Sequence, residues 1–74
     1  MNVTVKLFAS LRQGRSAEMV IACAIDSTVE VIIRDMGIPL DQVATVLVND
    51  SPVNFGYRLT AGDILSLFPP LAGG

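Results

Sequence analysis

The C-terminal segment, residues 68–74, carries the residue types best suited to chemistry, and it reads Phe-Pro-Pro-Leu-Ala-Gly-Gly. Pro69 and Pro70 have a fixed φ and no backbone N–H, so they should end a strand and begin a stiff exit. Gly73 and Gly74 have no Cβ, so this end could enter a narrow channel in a partner and present a carboxylate at Gly74. The last four residues reach at most about 14 Å.

A Gly-Gly end has an alternative interpretation, because terminal residues are often small and frayed. The rest of the chain offers little other chemistry. It has no histidine and a single cysteine, Cys23, which excludes an internal disulfide and disfavours a zinc site or a Cys-His nucleophile. We therefore expect no bound cofactor or metal. Cys23 falls at an apolar strand position, where a free cysteine usually fills space in a core.

The composition predicts one small domain with an apolar surface for a partner. The chain has 74 residues, 51% hydrophobic and 16% charged, with a formal net charge of −2. A negative balance argues against binding nucleic acid. Lys6, Arg12 and Arg15 nevertheless precede the first acidic residue, Glu18. These cations are either solvated charge on a hairpin or a patch for an acidic partner.

The residue pattern at the N-terminus and the cysteine content predict where in the cell the protein is located. The first residues alternate polar and apolar types and lack the unbroken apolar segment of a secretion signal. No stretch approaches the roughly 18 apolar residues of a membrane span, so we expect no membrane partner. A single cysteine fits a reducing compartment, and the prediction is a cytoplasmic protein.

The first third of the chain predicts a β-hairpin. Residues 2–8 alternate aliphatic and polar side chains, which places the aliphatic set on a core and Phe8 on the opposite face. Residues 17–25 have the same period, with Cys23 on the core side. Residues 10–16 include a glycine and two arginines and are predicted to be the connecting loop.

A helix is predicted to follow the hairpin. The run Ser27-Thr28-Val29-Glu30 matches a capping box, in which Ser27 caps the helix and Glu30 bonds back to it. Gly37 and Pro39 predict the end of the helix. Glu30 and Arg34 have the spacing of an exposed i,i+4 ion pair. The apolar stripe expected to sit on a sheet consists of Val29, Ile32, Ile33 and Met36.

The second half of the chain predicts the remaining strands. Residues 45–48 are a β-branched run followed by a turn, and Val53 is predicted to be the centre of a very short strand. Residues 64–68 predict the final strand. In that strand Ser66 is assigned to the wetter face, and Phe68 on the same face is expected to be partly exposed.

This order of elements predicts an α+β fold. A hairpin followed by a crossover helix forces the first and last strands into the middle of a mixed sheet, with the helix on one face. The result is a β-grasp (ubiquitin-like) domain of four to five strands on one main helix. We expect residues 1–70 to form this domain and residues 71–74 to form a flexible C-terminal tail.

Several motifs resemble one known family. The stretch Val-Thr-Val-Lys-Leu-Phe-Ala-Ser-Leu-Arg at residues 3–12, the turn Val-Asn-Asp at 48–50 and the bend Leu-Thr-Ala-Gly-Asp at 59–63 are similar to the MoaD/ThiS group of ubiquitin-like sulfur carriers. The most specific part is Gly62-Asp63, then a five-residue apolar strand, then Phe-Pro-Pro and a Gly-Gly ending. The similarity covers nearly the whole chain.

The resemblance implies a carrier and not an enzyme. In this family a ubiquitin-activating-type adenylating enzyme uses ATP to adenylate the last carboxylate, here that of Gly74. Sulfur transfer then gives a thiocarboxylate, which donates sulfur in the biosynthesis of molybdopterin for the molybdenum or tungsten cofactor. The carrier would be the small subunit of molybdopterin synthase, and the large subunit would be its partner.

The resemblance also implies docking residues. Phe8 and Phe68 correspond to apolar positions that pack against the large subunit, and adjacent central strands would place them side by side. With Pro52 or Val53 they would form an apolar patch at the base of the tail. The alternative is that each aromatic is an isolated surface hydrophobe. The remaining residues predicted to contact a partner are Pro69, Pro70, Leu71 and Ala72.

Other functions stay open on the sequence. The chain is shorter than typical molybdopterin carriers, chiefly between the helix and Thr45, and compact relatives serve tungsten cofactors or other sulfur-transfer routes. A carrier for thiamine thiazole or another thiolation pathway is an alternative. A ubiquitin-like modifier joined through Gly74 to lysines is a third reading. A non-covalent β-grasp interaction module is a fourth.

Overall fold

The structure is a computed structural model, and it describes residues 1–71. The predicted Ala72, Gly73 and Gly74 of the tail lie outside the described residues. Residues 1–71 form five strands, one α-helix and two short 3-10 helices. In order these are β1 (Asn2–Leu7), a 3-10 helix (Ala9–Arg12), β2 (Glu18–Ala22), α1 (Val29–Asp35), a 3-10 helix (Leu40–Gln42), β3 (Thr45–Val48), β4 (Ser51–Pro52) and β5 (Ile64–Phe68).

The strands form one mixed sheet in the order β2-β1-β5-β3-β4. β1 pairs antiparallel with β2 and parallel with β5, and β3 pairs antiparallel with both β5 and β4. The first and last strands are therefore neighbours in the middle of the sheet, which confirms the predicted β-grasp fold. As a consequence, the chain leaves the sheet from its central strand.

The core lies between the sheet and α1, because the period-two pattern of the strands meets the helical stripe. The predicted aliphatic side of β1 is almost fully buried, and so are Val29, Ile32 and Ile33 of α1. Leu65 and Leu67 of β5 fill the same core. Cys23 packs partly buried against this core, in line with its predicted role as a filler. On the opposite side of the sheet, which we call the open face, residues 1–71 place no α-helix.

The helix start differs from the prediction by one residue. Thr28 is the N-cap, and its hydroxyl accepts a hydrogen bond from the Val31 N–H at 3.3 Å. Ser27 does not take this role, because the Glu30 N–H that it would bond donates instead to the Phe55 carbonyl at 3.0 Å, and the Ser27 hydroxyl itself donates to the Ala24 carbonyl at 2.7 Å. The predicted capping box is therefore wrong, and Glu30 instead forms the predicted pair with Arg34, at 3.1 Å.

The end of α1 confirms the prediction. Gly37 has φ of +75°, which a residue with a side chain adopts only with strain. Its N–H donates to the Arg34 carbonyl, and the Ile38 N–H donates to the Ile33 carbonyl. This pair of bonds is a Schellman motif.

Three local predictions need correction. The short strand β4 is Ser51–Pro52 and not centred on Val53, because Asn49 and Asp50 form a tight turn with φ of +49° and +69° that reverses the chain early. The predicted loop at residues 10–16 overlaps a 3-10 helix, since buried Leu11 anchors it to the core. Ser66 is buried on the open face, where its register neighbours Lys6 and Leu47 flank it.

Candidate docking site at the base of the tail

Two aromatic rings stack on the open face where β5 ends. The parallel register pairs Leu7 with Leu67, and the Phe8 N–H donates to the Leu67 carbonyl at 3.2 Å. The next side chains, Phe8 and Phe68, therefore meet face to face, with ring centroids 4.3 Å apart and planes 10° from parallel. Both are partly exposed. The prediction that these residues lie side by side is confirmed.

An open apolar groove of about 810 Å³ lies next to this stack. One wall is the exit of the chain, where Leu71 is 90% exposed. The other walls come from the start of β3 and from the 3-10 helix after β1. A volume of this size accommodates several side chains of a partner. The lining residues are Ala9, Ser10, Ala44, Thr45, Leu47, Phe68, Pro69, Pro70 and Leu71.

Pro69 and Pro70 begin at the point where sheet pairing stops. The Phe68 carbonyl still accepts a hydrogen bond from the Ala44 N–H at 2.9 Å. Neither proline has an N–H with which to continue the ladder. Sheet pairing thus ends at the groove, which Pro69, Pro70 and Leu71 line.

A cation borders the aromatic stack. The Arg12 guanidinium carbon lies 5.4 Å from the centroid of the Phe8 ring, and its Nε donates to the Leu7 carbonyl at 2.7 Å. The 3-10 helix positions this side chain because Leu11 anchors the turn in the core. From sequence, Arg12 was one of several charges on a hairpin. Arg12 follows Phe8 by four residues, and this spacing was the sequence signal for their contact. The signal becomes informative only when the loop is known to contain a 3-10 helix.

The structure brings together some of the predicted docking residues and separates others. One end of the sheet holds Phe8, Phe68, Pro69, Pro70 and Leu71. The first two are stacked, and the last four line the groove. Pro52 is exposed and pairs with Leu47, which lines the groove.

Val53 lies elsewhere. It packs partly buried against the core, and its N–H donates to the Val46 carbonyl at 3.1 Å. Leu47 was not among the predicted residues, and it takes the place that Val53 was expected to fill in the patch.

A buried carboxylate fixes the opposite end of β5. Asp63 is 5% exposed, and it accepts hydrogen bonds from the Thr60 N–H (2.8 Å), the Thr60 hydroxyl (3.0 Å) and the Asn49 side-chain amide (3.0 Å). Burial raises the pKa of Asp63, but these hydrogen bonds stabilise the carboxylate and bring the pKa below its ordinary value. The Asn49 oxygen in turn accepts from the Ile64 N–H at 3.0 Å. This network joins two turns and sets the start of β5.

Residues 1–71 contain neither a metal-ligand cluster nor a helix that could span a membrane. No group of three or more His, Cys, Asp or Glu side chains is arranged to hold a metal ion there. No helix in this part of the chain has the length and apolar character needed to cross a membrane.

Comparisons with known proteins place this geometry in a family. The sequence model of the Mut7-C ubiquitin family matches residues 2–72. No curated protein matches the sequence. The crystal structure of SAMP1, small archaeal modifier protein 1 of Haloferax volcanii, is 28% identical over 100% of both chains, with a TM-score of 0.77.

Two molybdopterin-related structures share the fold. A putative molybdopterin converting factor subunit 1 from Pyrococcus furiosus is 24% identical over 96% of this chain and 99% of its own, with a TM-score of 0.76. A complex of subunits 1 and 2 of the molybdopterin-converting factor from Helicobacter pylori contains a chain 24% identical over 100% of both, with a TM-score of 0.63. The resemblance to ubiquitin-like carriers is confirmed, and the match over residues 2–72 shows that this chain belongs to the Mut7-C ubiquitin family.

Proposed function

We propose that this chain is a sulfur carrier whose Gly74 carboxylate is adenylated and converted to a thiocarboxylate. In this proposal it serves as the small subunit of molybdopterin synthase and donates its sulfur in molybdopterin biosynthesis. The observation that carries the proposal is the exit of the chain from its central strand directly beside an exposed apolar patch. The MoaD-like and SAMP1-like folds of its structural neighbours support it.

In this proposal the apolar patch binds the partner, and the tail presents the reactive carboxylate. The Phe8–Phe68 stack and the groove offer a partner a compact apolar contact, the kind of surface that supplies most of the binding free energy in interfaces. The tail then needs to supply only reach and a small cross-section. Two glycines suit that need, because an enzyme can enclose them in a narrow channel.

Adenylation and sulfur transfer at the Gly74 carboxylate require no catalytic side chain from the carrier. The Gly74 carboxylate attacks the α-phosphorus of ATP, and pyrophosphate leaves. A sulfide-level sulfur nucleophile then attacks the acyl carbon, the C–O bond to AMP breaks and a C–S bond forms. ATP, the sulfur source and the catalytic groups belong to the adenylating enzyme and its sulfur donor. Asp63 is the buried acid among the described residues, and its oxygens are already occupied by structural hydrogen bonds. We propose a carrier and not a catalyst on this basis.

The patch also suits the second partner. A large synthase subunit could hold the thiocarboxylate in its active site while an apolar surface covers the Phe8–Phe68 stack. The complex of subunits 1 and 2 from Helicobacter pylori supports this proposal, since one member has the same fold as this chain. Cytoplasmic location stays a prediction that goes with this role.

A ubiquitin-like modifier is the second candidate function. The 28% identity to SAMP1 over the full length of both chains favours it. Here the activated Gly74 carbonyl would be attacked by a lysine amine, AMP would leave and an amide would form. The same patch and tail serve both uses, so the acceptor decides between them.

Intact-mass measurement separates these functions. The chain ending at Gly74 is incubated with ATP, a ubiquitin-activating-type enzyme and a sulfur source. A mass gain equal to one exchange of oxygen for sulfur supports the carrier, and adducts on lysines of other proteins support the modifier. A variant lacking Gly74 and a variant extended by one alanine beyond Gly74 are the controls, and both should stay unmodified. An unmodified wild-type chain together with an active enzyme would contradict both functions.

The pathway needs a separate measurement. The thiocarboxylate form is mixed with a large molybdopterin synthase subunit and the sulfur-free precursor, and the dithiolene product is measured. Product formation supports the molybdopterin assignment. Thiolation of Gly74 without dithiolene product would support the carrier function and assign it to another thiolation pathway.

A further inference from the structure

The two edges of the sheet are built differently. β4, at one edge, has two residues, and one of them is Pro52, which has no N–H to offer. β2, at the other edge, is five residues long and contains neither proline nor glycine. Its middle residue, Val20, is an apolar side chain that is 67% exposed. Natural proteins usually shorten such an edge or place a lysine or proline on it, because an open edge pairs with other strands.

The hydrogen bonds of the hairpin show which groups of β2 are free. Met1 and Cys23 exchange two backbone hydrogen bonds, each 2.7 Å long, and the Leu7 N–H donates to the Ala17 carbonyl at 2.8 Å. Bonded and non-bonded pairs alternate along an antiparallel ladder. The residues of β2 that point their N–H and C=O groups away from β1 are therefore Glu18, Val20 and Ala22.

We propose that a second copy of this chain pairs with β2, antiparallel about a two-fold axis at Val20. In this register Val20 faces Val20 of the second copy, and Glu18 faces Ala22. Each of the three outward residues then exchanges two backbone hydrogen bonds with its opposite number, so every free group of β2 finds a partner. The self-complementary pairing closes at two copies, as an isologous interface must.

The side chains suit this register. Glu18 meets the methyl group of Ala22, so the two carboxylates do not oppose each other, and each is already paired with Lys6 of its own chain at 3.8 Å. Val20 contacts Val20 of the second copy on the open face, where a pair of β-branched side chains is favourable. On the other face Met19 and Ile21, which are only partly buried, would cover each other across the axis.

The pairing leaves the docking site accessible. β1 separates β2 from β5, so both copies would present their tails from the interior strands of one continuous ten-stranded sheet. The dimer is therefore compatible with either proposed function and does not depend on it.

The experiment uses the complete chain and measures both mass and the position of the contact. Sedimentation equilibrium from micromolar to millimolar concentration should show a reversible monomer–dimer equilibrium. Amide hydrogen exchange should slow with rising concentration at Glu18, Val20 and Ala22. The amides of Met19 and Ile21, already bonded within the hairpin, should be protected throughout.

A matched pair of variants tests the register. Val20→Lys places two ammonium groups opposite each other and should weaken dimerisation at least about tenfold. Ile25→Lys adds the same charge at a residue that is 79% exposed and outside the strands, and it should dimerise like the wild type. Thermal unfolding like that of the wild type, measured at a concentration where the wild type is monomeric, confirms that both variants fold. A wild type that is monomeric at every concentration, or a dimer that survives Val20→Lys, would overturn the proposal.

Discussion

β5 begins at Ile64 beside a buried carboxylate and ends at Phe68 beside an exposed aromatic stack. At its start, Asp63 has its hydrogen bonds satisfied by Thr60 and Asn49, and it is almost inaccessible to solvent. At its end, Phe8 and Phe68 bury only part of their surface against each other. A satisfied polar network specifies one arrangement of the chain, whereas an unsatisfied apolar surface is stabilised further by a partner. The first end therefore fixes the register of β5, and the second is the docking end in the function proposed above.

Truncating the carboxylate should produce the largest effect, and it should be an effect on folding. Asp63→Ala removes three acceptor contacts and leaves the Asn49 amide and the Thr60 N–H without their partner, so the unfolding free energy should fall by about 2–4 kcal/mol. Chemical denaturation measures this loss. Binding of the folded fraction to the adenylating enzyme should be unchanged. A stable Asp63→Ala chain with weaker binding would reverse the assignment of the two ends.

Truncating the aromatic stack should affect binding and leave the fold intact. Phe68→Ala should weaken binding to the adenylating enzyme or to the large subunit by at least about 1 kcal/mol, because it removes a central apolar contact. Calorimetric titration measures the change. Ile64→Ala is the control, since Ile64 is a similarly accessible apolar residue on the same face of the same strand, 39% exposed, at the other end. Unfolding of Phe68→Ala would show instead that Phe68 is a core residue.

Removing the neighbouring cation should have a smaller effect. Arg12→Ala is expected to weaken partner binding by about 0.5–1 kcal/mol, since a cation over an aromatic ring orders the ring and can meet an acidic partner residue. Arg34→Ala removes the same charge from the exposed side of α1 and serves as the comparison. Equal losses in the two variants would mean that net charge matters and the position of Arg12 does not.

The pH dependence of stability should report the polar end of β5 through Asp63. The folded-state pKa of Asp63 lies below its unfolded-state value, so its stabilisation is complete above the unfolded-state pKa and is lost as pH falls through the folded-state pKa. The difference in unfolding free energy between wild type and Asp63→Asn should therefore shrink on acidification. A difference that stays constant across the acidic range would show that the carboxylate charge is not what the network stabilises.

Local patterns predicted the parts of the fold that depend on periodicity. The alternation in β1 and the helical stripe from Val29 to Met36 each reflect burial on one face, which the sequence records directly. The adjacency of Phe8 and Phe68 followed from topology, because a β-grasp order pairs the first strand with the last. In these cases one physical cause determined both pattern and structure.

The missed features depend on contacts between segments that are distant in sequence. Ser27 and Thr28 are both suitable N-cap residues, and Thr28 is the cap because the Glu30 N–H, which Ser27 would need to bond, donates to the distant Phe55 carbonyl. Ser66 is buried by its neighbours on two other strands. Leu47 lines the groove beside Phe68, whereas Val53 packs against the core, because an early turn at Asn49 and Asp50 shifts β4. No local pattern contains this information.

The most direct test of the proposed carrier is ATP–pyrophosphate exchange catalysed by the adenylating enzyme, because it reports formation of the acyl-adenylate at Gly74. We predict that exchange requires the wild-type chain and disappears when Gly74 is deleted. Phe68→Ala should need a higher carrier concentration for half-maximal exchange, with the maximal rate nearly unchanged. Exchange that persists at the wild-type level without Gly74 would contradict the account.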